Sequence, residues 1–180
     1  MNPNFPQRKL RLVIISAVAF GGVGAAFNGF AAVDTENLGV SATVTATCTI
    51  ATAPVAFGVY DPTSGTDLAA QGSVTVLCTN GSASNITLGQ GIAPVGDVPG
   101  APVRQMSGGA AGAGRLGYFL YSDVGLATVW GNTAPTGIAH TGTGANEVFT
   151  VYGQIPAGQN IIAGSGGTAY ADTVVATVTF

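Results

Sequence analysis

An all-β fold, two sheets packed as a sandwich, follows from three observations. Beyond Ala31 no window repeats its apolar residues at helical spacing. β-Branched and aromatic residues recur instead in short runs that alternate with polar ones, the mark of strands with one buried face. Gly, Pro, Asn and Asp punctuate these runs, and the crossover helices that a parallel sheet would require are not signalled. One domain accommodates the 180 residues.

The first element lies outside that fold. Arg8, Lys9 and Arg11 precede an apolar run from Leu12 to Ala26, and the small residues Gly29 and Ala31 flank Phe30 as a cleavage site would require, so residues 1–31 read as a secretion signal. A membrane anchor is the rival reading. Gly21, Gly22 and Gly24 interrupt the run, and no unbroken apolar stretch of about 18 residues follows.

Residues 32–46 read as an N-terminal extension and 47–180 as the domain. Leu38, Val40, Ala42, Val44 and Ala46 alternate with Gly39, Ser41, Thr43, Thr45 and Thr47, giving an apolar comb along one side of a strand expected over Leu38 to Ile50. Near a free end, such a strand either folds back onto its own domain or is lent to another molecule. Further strands are expected over Val55 to Tyr60, Gly72 to Cys78, Ser84 to Leu88, Gly117 to Tyr121, Ala127 to Trp130 and Glu147 to Gln154.

The connections carry turn chemistry. Asp61-Pro62 with Ser64-Gly65 is a turn, Thr79-Asn80-Gly81-Ser82 reads as a tight hairpin, and Ile155-Pro156-Ala157-Gly158-Gln159 is a third reversal. The Gly/Ala-rich section Ser107 to Gly114 reads as a flexible loop, and Pro94, Pro99 and Pro102 make Gly91 to Val103 long and loop-like. A last strand is expected over Tyr170 to Phe180. Val174, Ala176, Val178 and Phe180 face one way there, so the chain closes on a core-facing aromatic, and an uncovered apolar edge beside it would be an aggregation hazard.

Charge and chemistry exclude several function classes. Without residues 1–31 the chain keeps two arginines, Arg104 and Arg115, against eight carboxylates, a formal −6, and it has no lysine. Nucleic acid, which requires clustered cations, is excluded as a partner. So is a polymer joined through lysine isopeptide bonds. Cys48 and Cys78 in an exported chain favour one disulfide. The alternative, a metal site from these cysteines and His140, lacks a fourth ligand and close spacing.

Gly112-Ala113-Gly114-Arg115-Leu116-Gly117 matches the dinucleotide fingerprint by letter, but strand-like sequence follows where a helix is needed. His140 sits in turn-rich sequence as a solvated loop residue. No serine occupies a nucleophile elbow, and no carboxylate pair is set for acid and base work. Asp61 and Asp67 lack the spacing of a calcium loop, and the sequons at Asn80 and Asn85 matter only in a glycosylating host. No enzyme, cofactor or small-molecule substrate is expected.

A set of blocks along the chain is similar to the spore-coat protein U family, which includes the major subunits of archaic chaperone-usher pili. The blocks are Cys48-Thr49-Ile50, Ala56-Phe57-Gly58-Val59-Tyr60-Asp61-Pro62, Gly72 to Gly81, Met106-Ser107-Gly108-Gly109, Leu116 to Asp123, Trp130-Gly131, Val151 to Gln159 and the ending Tyr170-Ala171-Asp172-Thr173 to Phe180. The resemblance implies an incomplete immunoglobulin-like sandwich that lacks its last strand and carries an open apolar groove. A periplasmic chaperone would fill the groove first. An outer-membrane usher would then exchange it for the N-terminal donor strand of a neighbouring subunit, giving a homopolymer at the cell surface. The resemblance makes Leu38, Val40, Ala42, Val44 and Ala46 the donor comb, places Val174, Ala176, Val178 and Phe180 on the strand that borders the groove, and pairs Cys48 with Cys78. The function so implied is an extracellular pilus subunit for adhesion and biofilm formation; a tip adhesin and a secreted coat protein are the alternatives.

Overall fold

The computed structural model describes residues 32–93, 98–108, 114–161 and 169–180. The chain divides into two units, Met1–Ala42 and Thr43–Phe180. The stretch expected to be a secretion signal lies outside the described residues, and of the first unit only residues 32–42 are described.

The second unit is built on the pairing of its two longest strands. β2 (Leu68–Cys78) turns Val74, Val76 and Cys78 into the core, and β7 (Asn146–Ile155) does the same with Val151 and Ile155. Ten antiparallel pairs, from Leu68 opposite Ile155 to Leu77 opposite Asn146, keep both apolar faces on one side, because a slip by one residue would invert them. β1 (Cys48–Ala53) lies outside β2; β5 (Gly114–Tyr121), β4 (Arg104–Gly108) and β8 (Tyr170–Ala171) continue beyond β7. A second antiparallel sheet has β3 (Ala83–Leu88) between β6 (Ile138–Thr141) and β9 (Ala176–Thr179). Ile86 and Leu88 from this sheet meet Val74, Val76, Leu116 and Leu120 from the first around the fully buried Trp130.

Several elements differ from expectation. The strand expected over Leu38 to Ile50 begins only at Cys48, where pairing with β2 starts, and residues 32–47 are in no strand. Val55 to Tyr60 is not a strand but a segment lying across the sheet. A Cβ on Gly72 would come within 2.7 Å of the Ala53 carbonyl oxygen and one on Gly153 within 2.7 Å of the Phe57 ring, so these two glycines make the room it occupies. Ala127 to Trp130 contributes one bridge, Val129 to Tyr121.

The section expected to be a flexible loop is in part strand. Gly108 and Gly114 face each other in the β4–β5 ladder, and a Cβ on either would run into Tyr170, so they serve close packing rather than mobility. Residues 109–113, like 94–97 of the proline-rich section, lie outside the described residues. Thr79–Ser82 is a tight turn with Gly81 at φ 80°, closed by the Ser82 N–H on the Thr79 carbonyl, but it passes from one sheet to the other instead of closing a hairpin. The Asp61 turn holds, with the Thr63 N–H donating to its carboxylate at 2.8 Å.

The last strand is split. Tyr170–Ala171 pairs with β4 in the first sheet and Ala176–Thr179 with β3 in the second, so the chain changes sheets between them. Asp172 holds the crossing point, its Oδ1 accepting N–H bonds from Ile92 and Thr173, both at 2.8 Å. Gly91 beside it has φ 97°, and a Cβ there would strike the Asp172 carboxylate.

Candidate functional site: an apolar groove between two strand edges

Among the described residues β1 is hydrogen-bonded to β2 on one side only, and β9 to β3 on one side only. Each stands at the edge of its sheet, and such an edge presents backbone donors and acceptors ready to pair with another strand. Between the end of β1 and the start of β9 opens a cavity of about 400 Å³. Ala53, Val55 and Phe57 form one wall, Val174 and Ala176 the other, and Val74, Leu88, Leu120 and Val151 the floor. Four floor residues at or below 5% exposure mean that this cavity opens onto the core itself.

One end of the cavity is polar, and its Tyr118 and Asp172 side chains are hydrogen-bonded to each other. The Tyr118 hydroxyl donates to Asp172 Oδ2 at 2.7 Å; burial, reinforced by that carboxylate, pushes the Tyr118 phenol well above its usual range. Behind it Arg104 is 1% exposed. Its Nε donates to the Gly89 carbonyl and its Nη2 to those of Leu88 and Trp130, at 2.8 to 2.9 Å. Burial lowers its pKa to about 10, and it ties β4 of the first sheet to the end of β3 in the second. The Trp130 indole completes the tie through Nε1–H to the Ile86 carbonyl at 2.9 Å.

The residues singled out from sequence fall as follows. Cys48 and Cys78 are bonded to each other, with Cα atoms 4.1 Å apart, so neither is available to a metal and the alternative site with His140 is ruled out. The comb residues Leu38, Val40 and Val44 are 88%, 87% and 82% exposed, and Ala42 and Ala46 are exposed as well. Val174 and Ala176 line the cavity, while Val178 packs on the core one turn of the pleat further on. Phe180, expected to face the core, is 57% exposed: β9 ends at Thr179, so no ladder fixes the final residue.

Other features were missed or misread. Val55, Phe57, Tyr118 and Asp172 escaped attention as groove residues; the signals were a carboxylate inside an apolar terminal run and Tyr118 in the apolar row Leu116, Tyr118, Leu120. His140 is not solvated. It lies in β6 with its side chain 5% exposed, Nδ1 3.0 Å from Ser84 Oγ, Nε2 2.5 Å from Glu147 Oε2, and its ring edge-on to Phe149. Although Ser84, His140 and Glu147 form a chain of hydrogen bonds, they line neither the 400 Å³ cavity nor a smaller one at Val124 and Tyr152, and they link β3 and β6 to β7. In the fingerprint-like stretch, Gly114 to Gly117 is strand and strand follows it; Gly112 and Ala113 lie outside the described residues.

Comparison with known proteins bears on the fold. The family model described as the Spore Coat Protein U domain matches residues 34–177. Protein U of Myxococcus xanthus is 42% identical over 160 residues, which cover 83% of this chain and 87% of that protein. Among solved structures, the CsuC–CsuE chaperone–tip adhesion subunit pre-assembly complex, from archaic chaperone-usher Csu pili of Acinetobacter baumannii, contains a chain of similar fold, with a TM-score of 0.54 at 21% identity. The likeness covers 77% of the present chain, which spans only 40% of that one. It is a likeness of fold, and the all-β, immunoglobulin-like sandwich expected from sequence is the fold observed.

Proposed function

Because the chain belongs to the spore coat protein U family, we propose that it is a structural subunit of an extracellular pilus of the archaic chaperone-usher type, polymerised by strand exchange between copies. The observation that carries this reading is the pairing of complementary features in one chain. An apolar cavity lies between two unpaired strand edges, and an apolar comb, itself exposed, precedes the domain. A strand entering the groove would gain main-chain hydrogen bonds from the edges and bury alternate side chains against Val74, Leu88 and Leu120.

In this reading the comb Leu38, Val40, Ala42, Val44 and Ala46 of one copy completes the sandwich of the next, alongside Val174, Ala176 and Val178. Phe180, at the end of that strand, closes over the comb when it is seated. A periplasmic chaperone covers the groove until an outer-membrane usher exchanges it for the comb. The fold neighbour supports the chaperone step, since it comes from a pre-assembly complex of a tip adhesion subunit with a chaperone. The product is a surface fibre for adhesion and biofilm formation, and residues 1–31 direct the chain into the export pathway.

Deleting residues 34–46 tests the reading. The intact chain should give boiling-sensitive ladders on gels of assembled material and the truncated one monomers; ladders from the truncated chain would refute it. A second reading, a secreted protective coat protein, draws on the spore-coat description of the matching family model. It predicts export and assembly in cells that lack the usher.

A further inference from the structure

We propose that the contacts around Thr47 act as a directional clamp, which keeps the comb out of the groove of its own domain and reserves it for a second copy of this chain. The inference rests on the groove being the comb's receptor, as read above. The problem it solves is one of concentration. A comb tethered by a short flexible link would meet its own groove at an effective concentration of about a millimolar, outcompeting a second copy at micromolar levels by about a thousandfold. Unless return is blocked, each molecule would complete itself and no fibre would grow.

The block is visible at the junction. The Thr47 N–H donates to Thr79 Oγ1 at 3.0 Å, the Thr79 N–H donates to the Thr47 carbonyl at 2.9 Å, and the two hydroxyls lie 3.2 Å apart. The next residue, Cys48, is bonded to Cys78 and opposite it in register. Beneath this pair the Gly144 N–H donates to the Cys78 carbonyl at 3.0 Å, and a Cβ on Gly142 would lie 2.4 Å from the Thr79 carbonyl oxygen. Thr47 is therefore held in line with β1 by Thr79, the residue that follows β2, one residue beyond the disulfide.

The groove cavity lies at the opposite end of β1. Cys48 to Ala53 at strand spacing separates clamp and cavity by about 17 Å. To return along the free edge of β1, the chain would have to reverse immediately before Thr47. A tight reversal needs residues that accept positive φ. Three of the four residues Val44, Thr45, Ala46 and Thr47 are β-branched and resist it, and the nearest upstream glycine, Gly39, is within the comb itself. Pinned at Thr47 and stiff before it, the extension can complete only a different molecule.

Two variants of the exported chain test the clamp. Ala46→Asn with Thr47→Gly supplies the dipeptide of a type I′ turn at the pinned point; Thr79→Val keeps the side-chain shape and removes the hydroxyl's bonds to Thr47, leaving the backbone bond from the Thr79 N–H in place. Each is refolded at micromolar concentration, the monomer fraction is read by light scattering, and protease protection of residues 38–46 is read by mass spectrometry. The turn variant should raise the monomer fraction by about tenfold or more, with the comb protected, drawing on the advantage of the tethered strand. Thr79→Val should move it the same way by less and serves alone if the turn variant misfolds. A monomer fraction equal to that of the parent chain in both overturns the clamp. A synthetic peptide of residues 36–47, added to the chain lacking residues 34–46, separates the two claims: binding together with unchanged variants removes the clamp alone, and no binding removes the groove reading on which it stands.

Discussion

The Tyr118 hydroxyl donates to the Asp172 carboxylate across 2.7 Å, joining the floor of the groove in β5 to the point where the chain leaves the first sheet for the second. Asp172 accepts two backbone N–H bonds as well, so its side chain fixes the wall that carries Val174 and Ala176.

Replacing Tyr118 by Phe removes that donor and leaves a carboxylate oxygen unsatisfied in a part-buried site. The cost should be about 1 to 3 kcal/mol, seen as an earlier thermal unfolding midpoint. An unchanged midpoint would show that Asp172 is held by its backbone bonds alone.

The groove's other wall depends on the absence of a side chain. Gly72→Ala would place a methyl 2.7 Å from the Ala53 carbonyl oxygen and 2.9 Å from the Pro54 carbonyl carbon, both backbone atoms that cannot swing aside. A loss of about 1 to 3 kcal/mol in denaturant unfolding is expected, with weaker binding of a comb peptide to the domain. Wild-type stability and binding would mean that the segment 53–57 is free to shift.

Cys48 and Cys78 should resist alkylation until reductant is added, as their bond requires. Replacing both by Ser should lower stability by about 2 to 5 kcal/mol, measured by urea unfolding, and reduce the yield of exported protein. Labelling of both in the untreated protein would contradict the bridge.

Glu147 gives a pH signature. Its pKa is lowered, first by the hydrogen bond from His140 and then by that from Thr143. A carboxylate with a depressed folded-state pKa contributes stability that is fully present above its unfolded value, about 4.3, and is lost as pH falls through the folded value. The urea midpoint of the parent chain should therefore exceed that of Glu147→Gln at pH 6, and the two should converge as the pH falls through the depressed folded-state value. A constant difference across that range would assign the effect to packing instead.

How much of this was legible in the residues depended on the range of the forces involved. β2, β3 and β7 announced themselves because alternation is local: Val74, Val76 and Cys78 point inward whatever lies opposite. The family blocks include both cysteines and the terminal run Tyr170 to Phe180, whereas the comb Leu38 to Ala46 was read from alternation alone. What escaped was set by distant partners. Val55 to Tyr60 has strand composition, but Gly72 and Gly153 make space for it to cross the sheet, and nothing near it in sequence says so. Gly108 and Gly114 read as a flexible loop until the Tyr170 ring is placed against them. His140 read as solvated because Ser84 and Glu147, which enclose it, come from two other strands. The terminal strand looked continuous because its change of sheet is made by Asp172 with Ile92, 80 residues away in sequence.

The central claim, that the comb of one molecule fills the groove of another, is tested most directly by a photo-crosslinker at Val44 in the intact chain. Isotopically light and heavy chains are assembled together, irradiated and mapped by mass spectrometry. Crosslinks between a light and a heavy chain, landing on residues 52–55 or 173–176, are the predicted result. Crosslinks confined to single chains, or falling outside the groove, would contradict it.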